Sequence, residues 1–125
     1  GIPEMHVKNV LIENAVLQAD EGIDIQEATD IALNNITMIS KNTNPVTYIL
    51  NSNNITINNL KYKDQSEVLA QVQGDRTNAI AILNTDTAKA KQKLVANFGS
   101  TDATVAWEEV KVVEYPKKKS KKKKN

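Results

Sequence analysis

From Asn9 to Asp86 the chain alternates apolar and polar side chains, and an Asn or Asp resets the alternation at regular intervals. Four segments carry the pattern: NVLIENAVL from Asn9, DIALNNITM from Asp30, NITINNLKY from Asn54, and a looser NAIAILNTD from Asn78. A period of two puts successive side chains on opposite faces of a strand, and the Ile, Val, Leu and Thr that fill it suit that pleated surface. The leading residues stand 21, 24 and 24 apart, while a second Asn recurs at Asn14, Asn35, Asn59 and Asn84, spaced 21, 24 and 25. Self-similarity at such a period marks a solenoid. A helical solenoid would show a 3.6-residue period rich in Ala, Leu and Glu, and a leucine-rich repeat would need Leu at fixed places with a helical return.

The recurring Asn has a physical reason. Asn tolerates the left-handed backbone that a sharp bend demands, and its amide can bond the same residue one coil above or below. Columns of Asn or Asp at Asn9, Asp30, Asn54 and Asn78, and at Asn14, Asn35, Asn59 and Asn84, therefore predict an all-β, right-handed parallel β-helix of about four coils, stacked about 4.8 Å apart. A second strand precedes each leading residue, as GIDIQ at 22–26, VTYIL at 46–50 and LAQVQ at 69–73, with LVANF at 94–98 as a fourth and TVAW at 104–107 after it. Within these, Ile23 and Ile25 are expected to point into the core, with Asp24 outside and Tyr48 and Gln71 stacked over it. TVAWEEVKVVEY reads as a terminal strand pair or cap, its Trp107 closing the core.

Composition divides the chain in two. Seven of the sixteen basic residues are Lys117–Lys119 and Lys121–Lys124, so residues 1–116 hold nine basic against fifteen acidic groups, a net charge of −6. The β-helix domain is assigned to 1–116 and a disordered, lysine-rich tail to 117–125, because like charges in a row repel and bury nothing. No aromatic residue is interleaved with those lysines for base stacking, so nucleic acid is not expected as a partner. Cysteine is absent, which removes disulfides and thiolate metal sites, and no apolar run approaches the ~18 residues of a membrane helix.

The stretch PEMHVKNVLIENAVLQADEGIDIQEATDIALNNITMISKNTNPVTYILNSNNITINNLKY resembles the C-terminal coils of glycoside hydrolase family 28, the polygalacturonases and their rhamnogalacturonan-cleaving relatives. The similarity runs from about Pro3 to about Phe98 and is strongest to bacterial, gut-type members. It implies a parent enzyme that hydrolyses pectic polysaccharide with inversion, and a secreted or periplasmic location. The catalytic motifs do not carry over. Where the family has Asn-Thr-Asp ahead of Gly-Ile-Asp, this chain has Ala19-Asp20-Glu21 ahead of Gly22-Ile23-Asp24, and where it has adjacent Asp residues one coil later, Thr43-Asn44-Pro45-Val46 stand here. The Gly-His-Gly motif has no counterpart, His6 being the only histidine, and Arg76-Thr77-Asn78 replaces Arg-x-Lys. A literal Asn84-Thr85-Asp86 falls on the bend column.

The candidate chemistry follows from this. Glycoside hydrolysis needs two carboxyls about 5–9.5 Å apart. On an extended strand Asp20 and Asp24 would be roughly 13 Å apart, and the next coil offers Tyr48 in the column of Asp24. No catalytic residue is therefore assigned, and Asp20, Glu21 and Asp24 read as solvated acids in preference to a Ca²⁺ site. Substrate contact is expected from Asp24, Tyr48, Lys89, Lys91 and Lys93. The three lysines alternate in TAKAKQKL and would share one strand face toward an acidic plant polysaccharide; as a solvated edge they would discourage strand pairing. No cofactor and no metal are expected. The function expected is a non-catalytic C-terminal β-helix portion of a pectin-active hydrolase. The alternative is a free-standing carbohydrate-binding or self-associating protein, forming homo-oligomers through an open coil end.

Overall fold

The computed structural model describes residues 7–108. The lysine-rich tail at 117–125, His6 and the continuation of TVAW beyond Glu108 lie outside the described residues. Nine strands follow one another: β1 (Val7–Ala19), β2 (Ile23–Gln26), β3 (Ala28–Ser40), β4 (Thr47–Leu50), β5 (Asn53–Lys61), β6 (Ser66–Gln73), β7 (Asn78–Leu83), β8 (Ala90–Asn97) and β9 (Val105–Trp107), with a 3-10 turn at Asp102–Thr104 before the last. The odd strands form one sheet in the order β1-β3-β5-β7-β9 and the even strands another, β2-β4-β6-β8. Every pairing is parallel and joins one coil to the next, which makes a β-solenoid of about four turns, as the alternation and period predict.

Register turns the alternation into columns. Ile12, Leu33, Ile57, Ile82 and Trp107 stack in one, and Val10, Ile31, Ile55, Ile80 and Val105 in the next. Across the core, Ile25, Ile49, Val72 and Ala96 stack likewise. The middle members are closed to solvent, with Ile49, Ile55 and Ile57 at 0% exposure. Burying a side chain of this kind stabilises by about 1.5–3 kcal/mol, and because each neighbour is nearly the same shape, one column repeats the same fit coil after coil. β9 pairs parallel with β7, so Trp107 continues the ladder, half-buried and packed against the core.

The bends sit where the Asn columns place them, with one shift. Asn9, Asp30 and Asn54 have φ of 57°, 60° and 55°, and Asn14, Asn35, Asn59 and Asn84 have φ of 55°, 57°, 58° and 50°. The amides form ladders: Asn35 Nδ2 donates to Asn14 Oδ1 at 2.6 Å, Asn59 Nδ2 to Asn35 Oδ1 at 3.0 Å, and Asn54 Nδ2 to Asp30 Oδ1. Asn84 Nδ2 reaches Asn58 Oδ1 at 2.8 Å, beside the ladder. In the leading column, however, Asn78 is not the bend. Asn53 pairs with Asn78, which sets Ala79 opposite Asn54, and Ala79 takes the left-handed turn at φ 55°. The interval there is one residue longer than the letters suggest, because register follows the buried pair Ile55 and Ile80 and not the identity of the bend residue.

A third bend was not visible in the sequence. Glu27, Asn51, Gly74 and Phe98 each follow an even strand and have φ of 52°, 48°, 98° and 53°. Four different residue types in one column leave no repeating letter. Phe98 thus ends β8 and turns outward, 75% exposed, where a strand at 94–98 was expected to continue. Inside this corner small hydroxyls replace apolar groups. Ser52 Oγ accepts from Ala28 N at 3.0 Å, and Thr77 Oγ1 accepts from Ser52 N at 3.3 Å, so backbone groups at the bend are satisfied by the coil above.

Ala79 gives a direct test of bend energetics. An L-residue without a polar side chain is strained in the left-handed region by about 1–2 kcal/mol, whereas Gly is not. Ala79→Gly is expected to raise stability by about 1 kcal/mol and the thermal midpoint by about 4–8 °C. A lowered midpoint would show that the strain is absent.

Candidate functional site

The even strands position the candidate site. In register from Ile23, Thr47, Ala70 and Leu94 onward, the even strands put two columns on their outer face: Asp24, Tyr48, Gln71 and Val95, and Gln26, Leu50, Gln73 and Asn97. Asp24 lies directly beside Tyr48 in register, with Gln71 beyond it. The side chains are tied to one another across the face. Gln26 Nε2 donates to Asp24 Oδ1 at 3.0 Å, and the Tyr48 hydroxyl donates to Gln73 Oε1 at 2.9 Å.

Tyr48 is held in its neutral form. Burial pushes its phenol above the ordinary value of 10.0, and the negative charge of Asp24 pushes it further the same way. A folded-state value raised above the unfolded one gives stability that is complete below about pH 10 and is lost as pH rises through the folded value. The phenolate titration at 295 nm, taken as the difference between the protein and Tyr48→Phe, should show Tyr48 ionising above its ordinary range. It should move downward in Asp24→Asn. A Tyr48 titration at or below 10 would contradict the geometry.

Asp20 and Glu21, the acids just ahead of Asp24, are engaged by partners one coil on. Asp20 and Glu21 form a bend between β1 and β2, so the extended spacing expected between Asp20 and Asp24 does not apply. What separates them is pairing: Lys41 Nζ lies 3.6 Å from Asp20 Oδ1, and Asn42 Nδ2 donates to Glu21 Oε1 at 2.9 Å. Among the described residues no three His, Asp or Glu side chains converge on a point that could hold a metal ion. Asn84-Thr85-Asp86 is a corner. Thr85 is 1% exposed, its Oγ1 accepting from Leu60 N and donating to Leu83 O, and Asp86 Oδ1 accepts from Ala88 N at 2.9 Å.

The lysine row does not act as a unit. Lys91 Nζ lies 3.1 Å from Glu67 Oε2, and Lys93 Nζ lies 4.9 Å from the centre of the Trp107 ring. Lys89 precedes β8, at the far end of that strand from Val95. A hollow of about 410 Å³ beside Lys93 is lined by Gln92, Lys93, Leu94, Asp102 and Trp107. The structure therefore brings together Asp24 and Tyr48 and leaves Lys89, Lys91 and Lys93 elsewhere. Gln26, Gln73 and Asn97, not singled out in the sequence, belong to the same face. Their signal was present, since each lies two residues after Asp24, Gln71 or Val95 and so shares its side of the strand.

No protein-family model, no curated protein and no solved structure matches this chain.

Proposed function

We propose that the chain is a non-catalytic β-solenoid portion of an exported, polysaccharide-processing protein of the pectin-active kind, and that it lays a polysaccharide along the outer face of the even strands. The observation that carries this reading is the register of Asp24, Tyr48 and Gln71, flanked by Gln26 and Gln73: an open, ordered face of hydrogen-bonding groups spanning successive coils. Its one carboxylate, Asp24, stands beside a phenol and an amide and has no second carboxylate in its column, so acid–base cleavage lacks a partner there. The resemblance to pectin-active coils, from about Pro3 to about Phe98, supports a plant cell-wall polysaccharide as the polymer.

The test uses plant cell-wall polysaccharide and the whole chain. Retention in native gels containing the polymer should weaken about ten-fold in Tyr48→Ala, and reducing ends should not be released from polygalacturonate above background. Release that disappears in Asp24→Asn would overturn the non-catalytic reading.

A second reading rests on a different observation. β1 is the outermost strand of its sheet among the described residues, and it leaves Ile12, which continues the inward column of Leu33 and Ile57, 38% exposed. A free-standing protein would cover that edge by self-association. Sedimentation yielding one discrete, concentration-stable oligomer would favour it.

A further inference from the structure

We propose that the outer face of β2, β4 and β6 selects an uncharged, hydroxyl-rich polysaccharide over a polyuronate, with Asp24 as the discriminating group. This rests on the polysaccharide reading above and names its substrate class.

The first ground is where the cations go. Lys41 is paired with Asp20, Arg76 lies 3.3 Å from Glu27 Oε2, Lys91 is paired with Glu67, and Lys93 covers Trp107. Lys89 is six residues before Val95 along the strand direction, about 20 Å away at extended spacing. None of these five is hydrogen-bonded to Tyr48 or Gln71. Among the described residues Asp24 is met by a neutral partner, the Gln26 amide, and by no cation at hydrogen-bond range.

The second ground is the donor and acceptor balance. Gln26 spends a donor on Asp24 and keeps its carbonyl oxygen, while Gln73 spends its carbonyl oxygen on Tyr48 and keeps its NH₂. Gln71, half-buried in the neighbouring column, presents both. A sugar hydroxyl both donates and accepts, so it complements an amide in either sense. A sugar carboxylate only accepts, and on this face it would meet Asp24 as a like charge. Near the protein surface such a juxtaposition weakens binding by about five-fold or more.

The experiment compares retardation of the whole chain in native gels containing soluble galactan or glucan with retardation in polygalacturonate, at low ionic strength. The wild-type chain sets the reference ratio of polygalacturonate to uncharged retention, to which the seven lysines at 117–124 contribute alike in every variant. In Asp24→Asn the ratio of polygalacturonate to uncharged retention should rise about five-fold, with an unchanged urea midpoint confirming the fold. In Lys91→Gln that ratio should stay where it is. An unmoved ratio in Asp24→Asn, or a ratio that falls in Lys91→Gln, would each overturn the inference while leaving a polysaccharide role standing. Retention by no polymer would overturn both.

Discussion

Gly22→Ala is expected to destabilise the solenoid by about 3 kcal/mol or more, read as a lowered urea midpoint, although the substitution adds a single methyl group. A Cβ at Gly22 would lie 1.9 Å from the carbonyl oxygen of Val46 and 2.7 Å from its carbon, both backbone atoms of the next coil. That carbonyl cannot simply step aside. It accepts from Ile23 N at 2.8 Å, and the amide of the same residue donates to Val68 O at 2.8 Å, so displacing Val46 loosens contacts to both the coil before and the coil after. The backbone of Gly22 is not left-handed, so the effect is one of close approach and not of conformational strain. An unaltered midpoint would mean that adjacent coils are not held in this register.

Ile57→Ala should cost about 2–5 kcal/mol, a large share of the roughly 5–15 kcal/mol that stabilises a domain of this size. Ile57 is 0% exposed, stacked between Leu33 and Ile82, themselves 4% and 1% exposed. Removing its side chain opens a cavity whose walls are further members of the same column, and strands held by ladders on both sides cannot collapse into it. Leu11→Ala deletes a comparable aliphatic group at a site 58% exposed and is expected to change stability by about 0.5 kcal/mol or less. Equal losses in the two variants would contradict the assignment of inside and outside.

The candidate face was legible in part, and the division is physical. Asp24, Tyr48 and Gln71 could be aligned from sequence because each sits one residue past an inward position of its strand, Ile23, Thr47 and Ala70. The pairing of Tyr48 with Gln73 could not, because it joins side chains from neighbouring columns of different coils. The lysines show the same limit from the other side. Alternation puts Lys89, Lys91 and Lys93 in a row, yet what each does depends on Glu67 in the preceding coil and Trp107 in the following one. Arg76, whose neighbours in sequence gave no hint, reaches across two coils to Glu27.

By itself the sequence determined the architecture: the period of two, the Asn bends and the spacing near 24 residues are local or repeating signals that specify parallel strands, their inward positions and most of their corners. Tertiary structure alone decided that Ala79 and not Asn78 makes the fourth leading bend, that a further corner runs through Glu27, Asn51, Gly74 and Phe98, and which charges are consumed in pairs. The reason is that these outcomes depend on register between segments some two dozen residues apart. Register is fixed by how the buried columns interlock, and the packing of Ile55 against Ile80 outweighs the preference of any single bend residue.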